Sequence, residues 1–175
     1  MARLNPMVKT VHYAFSDYQA LLGIEGSEKH SIGYHGENLS IVVLSCNRAV
    51  LTIRLMESVR QCIPGFAGEF LVIDNGSQEA ELAILRKHFQ EMPFQGKIVE
   101  LGCNYGVAGG RNRALEHIAT DWFLSLDNDI YFTENPLPSI KEAIEKMGCH
   151  FLNMPLLNET GDKIFALGGH LYLHE

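Results

Sequence analysis

What the 175-residue chain lacks narrows its class first. No run approaches the roughly 18 consecutive apolar residues of a membrane-spanning helix, and the N-terminus has no continuous apolar stretch of a secretory leader. Basic residues are in deficit: Lys and Arg number 14 against 21 Asp and Glu, a formal net charge of -7. A nucleic-acid partner, which calls for a basic face, is therefore not expected. The four cysteines, Cys46, Cys62, Cys103 and Cys149, form no C-x-x-C pair, which argues against structural zinc and for reduced thiols in a cytoplasmic protein. Internal repeats and low-complexity segments are absent too. The remaining composition, 46% hydrophobic and 20% charged, suits a soluble chain with length for one sizeable core and not for two.

Residues 1–38 mix aromatics, Gly, His and acids without a sustained period, apart from a short helical piece around Asp17 to Leu22. They read as an N-terminal extension to a domain spanning 39–175. From Leu39 the pattern changes. Ile41 to Leu44 is a continuous apolar run rich in β-branched residues, expected of a strand buried on both faces, and it ends in Ser45, Cys46, Asn47 and Arg48. A helix follows from Ala49 to Cys62, with Leu51, Leu55, Met56 and Val59 at helical spacing and Pro64-Gly65 as its stop. The unit then recurs. Phe70 to Ile73 leads into Asp74, Asn75, Gly76 and Ser77, and a helix spans about Gln78 to Gln90. Lys97 to Leu101 is the third strand; a Gly-rich stretch, 102–113, opens a helix through Ala119; Asp121 to Leu126 is the fourth strand. A further helix is expected over 136–147 with Asn135 as its cap, then weak strands at His150 to Met154 and Lys163 to Leu167 around a turn at Asn158 to Asp162.

Four strands alternating with three helices imply an α/β fold with a Rossmann-like, mostly parallel sheet flanked by helices. Ligands of such sheets bind outside the carboxyl ends of the strands. Asn47, Asp74, Asn104 and Asp127 all fall just beyond strand ends, so topology alone brings four polar residues to one edge.

The most telling stretch is the fourth strand's end, Asp127-Asn128-Asp129. In extended backbone, residues i and i+2 share a side, so two acids there can hold one hard dication such as Mg²⁺ or Mn²⁺, whose other ligands are phosphate oxygens and water. The bland alternative is a turn with a solvated acidic edge. Asp74 can accept hydrogen bonds from a base or ribose, or be an ordinary turn aspartate. The run Asn104 to Leu115 lets backbone approach a ligand and opens a helix whose N-terminus favours phosphate, with Arg111 and Arg113 as charge-assisted donors. It spells neither G-x-G-x-x-G nor a P-loop ending.

Together, LSCNR (44–48), LVIDNGS (71–77), NYGVAGGRNRAL (104–115) and FLSLDND (123–129) resemble the four successive motifs of family 2 inverting glycosyltransferases with the GT-A fold. The resemblance covers about Ser40 to Pro138. It implies that Ser45, Asn47 and neighbouring backbone line a nucleotide pocket, and that Asp74 binds the base through a ring N–H, as in uridine or thymidine donors. Asn104, Gly109, Arg111 and Asn112 would lie near ribose and diphosphate. Asp127 would face the ribose or the metal's water shell, and Asp129 would coordinate Mg²⁺ or Mn²⁺. The implied partners are a nucleotide-diphosphate sugar and a saccharide or lipid-linked acceptor, with peripheral membrane association through a region absent from this chain.

Inversion needs a general base, and in this family it comes from the second half of the domain. Glu142 and Glu145 read as a solvated helix face, Glu159 and Asp162 as turn residues, and His170 as an incidental neighbour, so the catalytic residue is unassigned. The GT-A domain is accordingly expected to be truncated at its C-terminus. Two other functions compete: a non-catalytic nucleotide-sugar-binding module, and a sugar nucleotidyltransferase. The latter would carry a Gly-rich basic loop after the first strand, where this chain has SCNR.

Overall fold

The computed structural model describes residues 36–147, 154–158 and 160–166. The chain divides into two units, Ile32–Lys146 and Met1–Ser31 with Met147–Glu175. The larger unit carries β1 (Leu39–Ser45), α1 (Ala49–Cys62), β2 (Glu69–Asp74), α2 (Glu79–Gln90), β3 (Gln95–Glu100), α3 (Gly106–Ala114), a 3₁₀ turn (Leu115–His117) and β4 (Trp122–Asp127), with α4 (Leu137–Met147) after them. In the other unit the described residues form a hairpin of β5 (Leu156–Leu157) and β6 (Ile164–Ala166).

The four long strands form one sheet in the order β3-β2-β1-β4, every pair parallel. From β1 to β3 the chain steps in one direction, then crosses back over both to place β4 on the other side of β1. Right-handed crossovers put α1 and α2 on one face, and the reversal puts α3 on the other. Side-chain alternation agrees. Val42, Leu71 and Ile73 pack with Ala114 of α3, joined by Leu44, Val99, Leu101 and Ile118. Phe70, which points the opposite way, meets Phe89 of α2 at 6.3 Å between ring centroids and stacks on Phe94 at 4.6 Å. Because β1 and β2 are covered on both faces, their apolar runs are nearly unbroken. The edge strands β3 and β4 are more exposed.

Several boundaries differ from expectation. β3 starts at Gln95, earlier than Lys97. Gly96, no strand former by propensity, lies so close to β2 that an added Cβ would sit 1.9 Å from the Phe70 carbonyl oxygen. The α3 helix ends at Ala114 instead of Ala119, because Ile118 leaves the helical conformation (ψ 122°) to pack on the Val42 cluster as the chain turns back toward β4. In the hairpin the first strand is Leu156–Leu157; the strand expected at His150 to Met154 lies, but for Met154, outside the described residues. The Asn158 N–H donates to the Lys163 carbonyl and the Lys163 N–H to Asn158 Oδ1, which close the turn and fix the register. The Asn135 cap is present, its Oδ1 accepting from the Leu137 N–H at 3.0 Å, and Glu142 and Glu145 face solvent. The helical piece at Asp17, Cys149, Glu159 and His170 lie outside the described residues.

No helix among the described residues is long and apolar enough to cross a membrane.

Candidate functional site

The carboxyl edge of the sheet is a set of loops tied to one another by side chains. After β1 the backbone enters the left-handed region at two consecutive residues, Asn47 (φ 54°) and Arg48 (φ 51°). Such conformations cost about 1–3 kcal/mol each in non-glycine residues and need support from their surroundings. The loop after β2 supplies it: Asn47 N–H donates to Ser77 Oγ (2.7 Å), Gln78 N–H donates to Asn47 Oδ1 (2.9 Å), and Ala49 N–H donates to Glu81 (2.7 Å).

Asn75 joins the next pair of loops. Its own N–H donates to the Ser45 carbonyl, its Nδ2 donates to Asn104 Oδ1 (3.2 Å) and the Gly106 carbonyl (3.1 Å), and its Oδ1 accepts from the Tyr105 N–H (3.0 Å). Asn104 Oδ1 also accepts from the Gly106 N–H, and its Nδ2 donates to Cys46 Sγ. Asn75 is buried. The sequence marks it only as a turn residue before glycine; its role depends on a loop thirty residues away that no local pattern reveals. Two glycines are required by close approach here. Gly76 (φ +81°) lies where a Cβ would be 2.5 Å from the Cys103 carbonyl carbon, and Gly110 lets α3 rest on Leu44 and Asn75.

Asp74 is the last residue of β2 and is 1% exposed. Its Oδ2 accepts from the Ser77 N–H at 3.1 Å. Its Oδ1 has no hydrogen-bond partner among the described residues, an unusual state for a buried acceptor. Ser45 is also buried, and its hydroxyl is hydrogen-bonded to Thr52 Oγ1 at 2.8 Å. It thus reaches the edge through Thr52 and does not present its hydroxyl to solvent.

In the Gly-rich segment the Arg113 guanidinium lies over the Tyr105 ring, 3.4 Å from its centroid, and Arg113 Nη1 donates to the Gly109 carbonyl. A hydrogen bond with Cys103 pushes the Tyr105 phenol above its ordinary pKa. Arg111 and Asn112, one helical position on, border an open cavity of about 330 Å³ on the α3 face of the sheet, walled by Val42, Leu44, Ile73 and Phe123. Arg111 Nη2 donates to Asp127 Oδ1 at 2.7 Å.

β4 ends at Asp127, and the chain then turns, with the Ile130 N–H directed at the Asp127 carbonyl (3.4 Å). Asp129 therefore stands in a turn, not on the extended strand that placed it beside Asp127 by alternation. Strand register aligns Asp127 with Leu44, on the α3 face, and Asp74 with Ser45, on the α1 face. A ligand touching both acids must lie across the strand ends beside β1, where the chain order reverses. That is where open α/β sheets bind ligands. Asn128 points back toward α1, its Nδ2 donating to Thr52 Oγ1 at 3.3 Å. Asp129 is exposed. No group of three or more His, Cys, Asp or Glu among the described residues is placed to hold a metal ion. The acids at this strand end are Asp127, paired with Arg111, and Asp129, exposed in the turn; two carboxylates are fewer than the ligands of a closed structural site, and are the donor chemistry that hard dications take beside phosphate and water.

The family model for glycosyl transferase family 2 matches residues 40–155, two thirds of the chain. The chain belongs to glycosyl transferase family 2. Among solved structures, TarS (residues 1–349) from S. aureus superposes with a TM-score of 0.53 at 25% identity, covering 62% of this chain and 32% of TarS. TarS has also been solved with UDP and with UDP-GlcNAc. The mannosyltransferase PcManGT from Pyrobaculum calidifontis, in complex with GDP-Man and Mn²⁺, gives a TM-score of 0.55 at 16% identity over 79% of this chain and 41% of that one. This second likeness speaks to the fold alone, which is the GT-A architecture of a parallel sheet flanked by helices. No curated protein sequence matches the chain. The family 2 chain described here thus spans about a third of TarS 1–349.

Proposed function

We propose that this chain is the nucleotide-sugar-binding part of an inverting glycosyltransferase, taking a UDP- or dTDP-linked sugar and delivering it to the hydroxyl of a saccharide or lipid-linked acceptor in the cytoplasm. The observation that carries the reading is the unpartnered Asp74 Oδ1 on the edge that also bears the Arg111–Asp127 pair. An orphaned, acceptor-only oxygen calls for a donor, and a pyrimidine ring N–H supplies one. Adenine and cytosine have no such ring N–H; guanine has one at N1, on a larger purine, so the titration includes GDP.

The other residues take roles that suit their positions. Asn47 and Asn104 hold the loops on either side of Asp74. Arg111 and the N-terminal turn of α3, with Gly109 and Asn112, offer positive charge and close backbone approach to a diphosphate. Asp127 and Asp129 offer two hard oxygen ligands to Mg²⁺ or Mn²⁺. When bound, such a dication would stabilise the departing nucleoside diphosphate as a Lewis acid.

Calorimetric titration of the chain with UDP, dTDP and GDP, each with and without Mn²⁺, tests this directly. Binding of UDP or dTDP that tightens with Mn²⁺ is expected; no binding of any diphosphate would sink the donor-site assignment. A second reading is a binding module without transfer activity. It gains if nucleotide binds and the purified chain shows neither transfer nor donor hydrolysis.

A further inference from the structure

The segment after β4 has no strand partner among the described residues, so its backbone groups must be satisfied otherwise. One row of α1 does this. Arg54, Ser58 and Cys62 are spaced i, i+4, i+8 and share a helix face. The Arg54 guanidinium lies 3.8 Å from the Tyr131 ring centroid. Ser58 Oγ accepts from the Phe132 N–H at 3.0 Å while donating to the Leu55 carbonyl at 2.7 Å, and the Cys62 thiol donates to the Phe132 carbonyl at 3.4 Å. One turn nearer the helix start, Thr52 holds Asn128. Thr52 is fully buried and Ser58 nearly so, although both lie on a helix whose other buried positions are mainly apolar. Buried hydroxyls in a helix interior lower helix propensity and need a reason.

We propose that Thr52 and Ser58 are positioning residues for the acidic pair. They fix Asn128 within the turn and Phe132 just after it, and so fix the direction in which Asp127 and Asp129 present their carboxylates to a divalent cation. The assignment rests on the donor-site reading above. Asn128, the residue between the two acids, is the link: it faces α1 because Thr52 holds it, away from the side on which Asp127 meets Arg111. The arrangement parallels the way outer hydrogen bonds orient metal ligands elsewhere, where their loss costs about 10- to 100-fold in metal affinity.

The test uses the full 175-residue chain. Asn128→Ala and Ser58→Ala each remove one attachment, the first at the half-buried turn residue and not in the helix core. UDP affinity is measured by calorimetry across a Mn²⁺ series, in wild type, in each variant and in each variant combined with Asp129→Ala. Each single variant is expected to lose roughly 10-fold in apparent Mn²⁺ affinity, with UDP binding in chelator unchanged. In the Asp129→Ala background, which has no Mn²⁺ response left to lose, neither should weaken UDP binding further, whereas a merely structural role would weaken it there and in chelator as well. Thr52→Ser, which keeps the hydroxyl, should retain the wild-type Mn²⁺ response. Unchanged Mn²⁺ dependence in both Asn128→Ala and Ser58→Ala, or full additivity with Asp129→Ala, overturns the positioning role alone. Wild type that binds no diphosphate overturns the donor reading beneath it.

Discussion

Arg111 and Asp127 form an ion pair between the Gly-rich helix and the last residue of β4, with Nη2 and Oδ1 2.7 Å apart and side chains 45% and 53% exposed. At that exposure the pair is worth no more than about 1 kcal/mol to the fold. It holds two groups that the donor reading assigns to opposite charges of the ligand, the arginine to the diphosphate and the aspartate to the cation's shell. Arg111→Gln should therefore leave the melting temperature nearly unchanged. Loss of a charge-assisted hydrogen bond of about 1.5–3 kcal/mol should weaken UDP roughly 10- to 100-fold. A large fall in melting temperature with intact binding would make Arg111 a structural residue instead.

Asp129 contrasts with Asp127 in having no partner among the described residues. Its substitution should cost the fold little, since exposed turn positions usually tolerate change within about 0.5 kcal/mol. In Asp129→Ala the gain in UDP affinity on adding Mn²⁺ should vanish, as it should in wild type treated with chelator. Binding that is metal-independent in wild type and unchanged in the variant would remove the metal role.

For Asp74 stability and binding should move in opposite directions. The unpartnered Oδ1 is a desolvated acceptor that costs the ligand-free fold about 1–3 kcal/mol. Asp74→Asn keeps the shape and one acceptor for the Ser77 N–H while removing the buried charge. The variant should melt at or above the wild-type temperature and bind UDP at least about tenfold more weakly, having lost a hydrogen bond to a charged group. A drop in both would mean that Oδ1 serves the fold.

Gly76 tests the contact between the β2 and β3 loops. Its φ of +81° would strain any other residue, and a Cβ would meet backbone of Cys103 and Asn104 at 2.5–2.7 Å. Gly76→Ala should destabilise by about 1–3 kcal/mol from the backbone conformation alone, read as a lowered denaturation midpoint. UDP binding should fall as well, because the Asn75 to Asn104 attachment moves with the glycine. Wild-type stability would show that the loops separate at no cost.

Much of this was legible because the signals are local. The apolar runs of β1 and β2, the helical spacing of Leu55 and Val59 and the stop at Pro64-Gly65 each appear where their own residues put them. Residues that work through distant partners were not legible. Thr52 looks like a minor break in an apolar face until Ser45 and Asn128 come to meet it. Asn75 reads as a turn former, yet it joins two strand ends. Alternation puts Asp127 and Asp129 on one side only in a strand that continues, and the chain turns directly after Asp127.

The outer edge of the sheet offers a pH test. Arg86 of α2 donates from Nε and Nη2 to both oxygens of Glu100 at 2.8 Å and from Nη1 to Glu79 at 2.7 Å, tying the helix to the end of β3. The hydrogen bond from Arg86 holds the Glu100 carboxyl below its ordinary pKa, against the smaller opposing effect of desolvation. A carboxyl depressed in the folded state adds stability that is fully present above its unfolded value of about 4.3. That stability is lost as pH falls through the lower folded value. Both side chains are more than a third exposed, so solvent and salt reduce the effect and it should be modest. Arg86→Gln should melt below wild type near neutral pH. The gap should narrow as the pH is lowered below the unfolded carboxyl value of about 4.3 and through the lower folded one, and also in roughly 1 M salt. A gap that persists under both conditions would assign the loss to packing of the arginine stem and not to its charge.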